Sequence, residues 1–301
     1  MHTFKRPEIS DRPWVTELLS KGGSRACEHN FVSIYLWGTA YPQKIARAED
    51  RLVVQMRGGA GLSYLFPIGS GPLAPALAAA KEDAVANGAR LTLVCITEEQ
   101  KAQLEEEFPG RFVFEEDRDG WDYLYSAEKL ATLSGKKLHG KRNHIHRFCE
   151  RYPDWMFEPI TAENLAECRA MEEEWFRQQE EEDRANCTLR REREALHTAM
   201  DNMEALGISG GLIRAEGKVL AFSLGSRTTA DCYNVHFEKA FGDIQGAYTV
   251  INREMARWVC STWPETEYIN REDDMGLEGL RKAKLSYYPE LLLEKYSARE
   301  V

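Results

Sequence analysis

"GLIRAEGKVLAFSLGSRTTADCYNVHFE", residues 211–238, decides the fold. It divides into three β-rich runs, GLIRA, KVLAFSLGSR and DCYNVHFE, separated by the turn formers "EG" and "TTA", which predicts a meander of three antiparallel strands. Upstream, Leu165, Cys168, Met171 and Trp175 recur at helical spacing behind a Thr161 cap. A second helix follows a Thr188 cap, with Leu196, Ala199, Met200, Met203 and Leu206 on one face and Gly207 as its stop. Downstream, Gly246 opens a helix carrying Tyr248, Ile251, Met255, Trp258 and Val259. Then come the strand TEYIN (266–270), a short helix over 276–284 and a closing strand YYPELLLEKY (287–296). The order is ααβββαβαβ.

The first half reads nearly the same way. Ser10 caps a helix through Leu19, a second helix lies around 31–37, and strands follow near 43–57 and 62–66 around a "GGAG" turn at 58–61. An Ala-rich helix over 73–87 ends at Gly88, the strand RLTLVCI leads to a Thr97-capped helix, and the strands RFVFE and WDYLY close the half. Two copies of one unit predict a mixed α/β fold in two tandem domains, 1–130 and 131–301.

Composition narrows the function classes. With 43% hydrophobic and 10% aromatic residues, 301 residues bury a full core. Seven scattered Cys without a C-x-x-C read as reduced thiols. MHTFKRPEIS lacks the apolar segment of a signal peptide and no run is long enough for a membrane span, so a cytoplasmic location is expected. A net charge of −10 opposes general binding to nucleic acid or anionic membranes, so any anionic ligand must be held locally. The charge is uneven: 172–183 (EEEWFRQQEEED) is acidic, while 134–147 (SGKKLHGKRNHIHR) holds five Lys/Arg, three His and no acid. Neither a phosphate loop, a nucleophile elbow nor an H-E-x-x-H is present.

The ααβββαβαβ order resembles the GNAT acyltransferase fold, whose fourth and fifth strands part to form a cleft for an acyl donor. Here those strands are CYNVHFE and TEYIN. The pairing of DYLYS…LATLSGKKLHGKRNHIHRF (122–148) with YINREDDMGLEGLRKAKLSYYP (268–289) resembles the DUF2156 family. That family is related to the C-terminal domain of phosphatidylglycerol lysyltransferase and to the Fem-type peptidoglycan aminoacyltransferases, which use two GNAT-like units. The resemblance covers nearly the whole chain. It implies transfer of an aminoacyl group from aminoacyl-tRNA to an amine or hydroxyl. Where the lysyltransferases carry Asp-x-x-Arg, this chain has His236-Phe237-Glu238-Lys239. Their Asn-x-Gly-like segment is matched by Asn270 to Gly276, and their Lys-x-Lys-aromatic-x-Pro ending by Lys284 to Pro289, with Ser286 replacing the second Lys.

Acyl transfer needs a base near neutral pKa and a fixed cation or donor for the carbonyl oxygen. His236 and Glu238 are the candidate bases; as i and i+2 on a strand they share a face, so Glu238 or Asp274 would orient His236. With Lys284 they make the expected catalytic set, while Asp274 also reads as the cap of a helix beginning near Met275. Lys239 and Arg271 suit a phosphate or oxyanion. Gly246, Tyr248, Asn270, Glu272, Arg281 and Tyr287 complete the expected substrate rim. Asp243 and Tyr248 around Gly246 disfavour a CoA pyrophosphate, leaving aminoacyl-tRNA as the expected donor and no certain cofactor. On a helical wheel Leu138, Ile145, Phe148, Cys149 and Tyr152 form an apolar stripe. Lys137, Lys141, Arg142 and Arg147 then face outward, either as a tRNA or phosphate contact or as a solvated face balancing 172–183. His139, His144 and His146 lack ligand spacing, so no metal is expected. The expected acceptor is a polar small molecule or a cell-wall-precursor-like amine. An acyl-CoA-dependent N-acyltransferase and a non-catalytic metabolite- or RNA-binding module are the alternatives.

Overall fold

The computed structural model describes residues 2–22, 24–58, 61–182 and 187–301. Along the chain the elements are α1 (Arg12–Gly22), α2 (Phe31–Ala40), β1 (Gln43–Ala48), β2 (Arg51–Gly58), β3 (Gly61–Leu65), β4 (Ile68–Gly69), α3 (Leu73–Ala86), β5 (Thr92–Thr97), α4 (Glu98–Glu107) and β6 (Phe112–Glu116). Then come β7 (Asp122–Ser126), α5 (Ala127–Thr132), α6 (His139–Arg151), β8 (Met156–Pro159), α7 (Leu165–Glu182), α8 (Cys187–Asp201), α9 (Met203–Leu206), β9 (Ser209–Ala215), β10 (Lys218–Thr229) and β11 (Cys232–Ala240). α10 (Ala247–Thr262), β12 (Tyr268–Asn270), α11 (Glu278–Leu285), β13 (Leu291–Leu293) and β14 (Lys295–Glu300) complete the chain.

By compactness the chain forms two units that interleave in sequence: Met1–Tyr123 with Glu272–Lys284 and Leu291–Val301, and Leu124–Arg271 with Leu285–Glu290. The expected boundary at 130/131 lies close to the first crossing, but the return of 272–284 and 291–301 to the first unit was not foreseen. The reason is strand pairing: β14 sits between β5 and β6, antiparallel to both.

The first unit's sheet runs β1-β2-β3-β5-β14-β6, with β4 beside β2. Val53, Tyr64, Leu77, Ala80, Leu93, Ile96 and Leu104 make its core. Thr97 caps α4 as expected, its hydroxyl accepting from the Gln100 amide while the Gln100 side chain returns the bond. Other expectations are corrected. Ser10 lies inside a 3-10 turn that Glu8 caps. The run 43–57 is two strands joined by a tight turn in which Glu49 has φ 53°. The GGAG turn falls partly outside the described residues; its flanks Gly58 and Gly61 pair across the β2–β3 hairpin. The closing strand YYPELLLEKY is instead two short strands, because Ser286 and Tyr287 form a turn after α11, closed by the Tyr288 amide on the Leu285 carbonyl.

In the second unit the meander holds: β9, β10 and β11 pair antiparallel in series, β8 flanks β9, and β12 joins β11 to the Leu124–Ser126 stretch of β7. Val219 to Ser226 of β10 are buried without interruption, so both faces of the sheet are covered, with α7 and α10 packed against this strand. Thr188 lies within the first turn of α8 rather than capping it. Gly246 caps α10 with φ 91°.

Candidate active site

Two irregularities of β11 build the site. The β10–β11 register passes from Leu224↔Phe237 to Gly225↔Val235, which leaves His236 as the extra residue of a β-bulge. On its other side β11 runs parallel to β12 only over Cys232↔Tyr268, Tyr233↔Ile269 and Asn234↔Asn270. Beyond that point β11 continues to Ala240 while β12 has ended, so the two strands part. The parted region begins where the sequence places its polar residues.

Past the parting, Arg271 Nη2 donates to Glu238 Oε1 (2.9 Å) and Asn252 Nδ2 of α10 donates to Glu238 Oε2 (3.2 Å). Glu238 and Arg271 expose only 9% and 15% of their side chains, so water screens this pair little. The Arg271 guanidinium lies 5.2 Å from the Tyr287 ring centre and 5.8 Å from that of Tyr125. Burial pulls its pKa down, yet Glu238 and the two tyrosines outweigh this and hold it above the ordinary value, so the cation is permanent. Lys141 reaches the same ring from α6: its Nζ is 3.8 Å from the Tyr287 centre and donates to Ser286 Oγ at 2.7 Å. Burial, then the Arg271 charge, brings its amine down to about 8. Burial raises the Tyr287 phenol against the pull of the Arg271 charge.

His236 is held differently from the expectation. The bulge breaks the alternation that would align it with Glu238; Asn234 Nδ2 donates to its Nδ1 (3.0 Å), and Ser226 Oγ lies 2.8 Å from its Nε2. Lys239 pairs with Glu192 (2.8 Å) and covers the Trp175 ring (4.0 Å), where burial leaves it a packing and pairing partner. Burial and then the charge of Glu238 raise the Tyr248 phenol. Asn270 is fully buried opposite Asn234 in the strand register. A Cβ on Gly246 would lie 2.5 Å from the His144 carbonyl oxygen, so packing of α10 on α6 already requires the glycine. Of the four basic residues expected to face a tRNA, Arg142 donates to the Leu133 and Gly135 carbonyls and Lys141 turns to Tyr287. Lys137 lies 5.1 Å over Tyr288, and Arg147 is exposed.

Glu272, Asp274, Arg281 and Lys284 fall in the first unit. Asp274 is fully buried and accepts from Tyr123 Oη, Arg118 (3.3 Å), Arg281 (2.9 and 2.8 Å) and the Gly276 amide (3.0 Å). Burial raises its pKa, but those donors outweigh it and hold the carboxyl well below the ordinary range. α11 begins only at Glu278, so Asp274 closes a turn rather than capping a helix. Lys284 donates to the Glu272 and Asp273 carbonyls, pinning a segment in which Glu272 and Met275 have positive φ. Among the described residues one His/Cys/Asp/Glu group is close enough to share a cation, Cys27 with Glu28 and Asp122. The Lys295 ammonium already lies 2.7 Å from both carboxylates and 3.6 Å from Cys27 Sγ. Sequence reasoning missed Asn252 and Tyr125. The only signal for Asn252 was an amide set among Val250, Ile251, Met255 and Ala256 on a buried helix face.

A mixed sheet whose fourth and fifth strands part beside a bulge, within a two-unit chain, defines a tandem GNAT-type acyltransferase fold. The same fold is found in a tandem GNAT protein of the clavulanic acid pathway (10% identity, TM-score 0.52, covering 100% of this chain and 98% of that one) and in FemX (9%, 0.62, 99% and 97%). The chain belongs to the phosphatidylglycerol lysyltransferase C-terminal family, whose model matches residues 20–299. A conserved protein of unknown function from Bacteroides thetaiotaomicron is 39% identical over all of both chains, with a TM-score of 0.92. L-PGS from Bacillus licheniformis shares the fold at 17% identity and a TM-score of 0.67, covering 98% of this chain and 92% of that one. An uncharacterised protein of Mycoplasmoides gallisepticum is 26% identical over 181 residues, 60% of this chain and 56% of that protein, so the chain spans about half the length of the curated relative it matches. Among the described residues no helix is long and apolar enough to cross a membrane.

Proposed function

We propose that the chain transfers an aminoacyl group from aminoacyl-tRNA to an amine or hydroxyl of a polar acceptor. The observation that carries this reading is the parting of β11 from β12 beyond Asn234 and Asn270, with the buried Glu238–Arg271 pair just past it. Attack on the aminoacyl ester builds negative charge on the carbonyl oxygen. Arg271, fixed by Glu238 and the two tyrosines, is a preorganised cation for that charge, and Asn252 keeps Glu238 aligned. An acyl-CoA donor is the weaker reading, because Gly246 is accounted for by its contact with the His144 carbonyl and Asp243 would repel a pyrophosphate at this helix start. Arg147, exposed on α6, is proposed to contribute a local contact to tRNA.

The test supplies radiolabelled aminoacyl-tRNAs, each tRNA in turn, with phosphatidylglycerol vesicles or with a soluble amine acceptor. Acceptor-dependent loss of label is expected for the wild type. It should slow about 100-fold in Arg271→Met, whose circular dichroism stays that of the wild type. Absence of transfer from every aminoacyl-tRNA, together with calorimetric binding of acetyl-CoA, would overturn the proposal in favour of the CoA reading.

A further inference from the structure

Lys141 is a half-buried amine for which, among the described residues, no carboxylate lies within ion-pair distance. Its neighbours are a hydroxyl, an aromatic face and a second cation. We propose that Lys141 takes the proton from the acceptor's amine or hydroxyl as that group attacks the aminoacyl ester, a role that rests on the transferase reading above. The geometry places the amine beside the site's fixed cation: Lys141 and Arg271 lie 3.8 and 5.2 Å from the centre of the same Tyr287 ring. Ser286 Oγ, 2.7 Å from Nζ, orients it.

The surrounding charges agree. Arg271 disfavours the ammonium, and Glu238, the acid paired with Arg271, is committed to Arg271 and Asn252. On α10, packed against α6, Arg253 and Arg257 are both paired with Glu254. In the turn that precedes its own helix, Lys137 lies over Tyr288. An amine near 8 is neutral in roughly a quarter of molecules at pH 7.5, and a base poised near the working pH is the efficient one. In the step itself the acceptor's N–H or O–H proton passes to Lys141 Nζ while its lone pair forms the new bond to the carbonyl carbon. The ester C–O bond then breaks, and the ammonium returns the proton to the departing tRNA oxygen. The lysine ends as it began.

Two measurements on the full chain test this. In the first, the wild type is pulse-labelled with acetic anhydride across pH 6–11 and modification is read by peptide mass spectrometry. Lys141 should acylate with a midpoint near 8, against about 10.4 for an ordinary exposed lysine. In the second, Lys141→Arg, which keeps a cation but cannot release its proton, and Lys141→Met should both turn over at least about 100-fold more slowly. Lys141→Arg should keep the wild-type Kd for tRNA, and the wild type's rising limb near pH 8 should vanish in both. A label midpoint in the ordinary lysine range, about 10.4, or wild-type turnover by Lys141→Arg, removes the proton-transfer role while leaving the transferase reading intact. If the wild type transfers nothing although Lys141 titrates near 8, both fall together, the transferase reading first.

Discussion

Asp273, in the first unit, is a carboxyl that holds its proton until the pH approaches neutrality. Burial, and then the carboxylates of Asp122, Glu28 and Glu272, push it up to about 7 against the pull of Lys295. A raised carboxyl means that the folded state binds the proton more tightly than the unfolded chain does. Stability is therefore full below the unfolded value near 3.9 and declines as pH rises toward 7. Asp273→Asn keeps the side-chain oxygen that accepts from the Met275 amide at 3.1 Å and removes the charge. It should match the wild type in urea midpoint at pH 4 and exceed it at pH 8; an equal or lower midpoint at pH 8 would sink this account. Residues of this kind were the least legible in the sequence. Charge in a local window reads as solvated, and neither Lys295, which is fully buried, nor Lys141, assigned outward from a helical wheel, carries a local mark of where its end goes. The sequence places His236 on its strand, but the bulge that sets its direction is a property of the pairing with β10.

Elements were read best where the chain punctuates itself. The turns between β9, β10 and β11, the Thr97 capping box and the Gly88 stop are all written in side chains that act within a few residues. The β1–β2 hairpin was merged into one strand because its turn uses Glu49 and Asp50, with no glycine or proline to signal a reversal. The α6–α10 contact is also invisible locally, although Gly246 hints at it. There φ is 91°, and an added Cβ would meet the His144 carbonyl at 2.5 Å and Phe148 Cβ at 3.1 Å. Gly246→Ala should thus lower stability by about 1–3 kcal/mol through strain alone, more if α10 must shift. Differential scanning calorimetry would show it as a fall in Tm, and an unchanged Tm would mean that the helices do not meet here.

At the scale of the molecule, the family and the two-unit architecture were legible because two long motifs and a repeated element order survive in the sequence. The interleaving was not, since local pattern states that 295–300 is a strand but not which strands accept it. Removing residues 295–301 should leave β6 without a partner and β5 with a bare edge. Hydrogen exchange measured on that truncated chain should show fast amides in β5 and β6 while β9, β10 and β11 stay protected. Uniform protection would mean that β14 contributes little. The same pairing imposes an order on biogenesis. Translation releases β14 after the entire second unit, so the half of the protein made first is the half completed last. A ribosome that pauses late, or a protease that trims the tail, leaves its damage in the oldest part of the polypeptide.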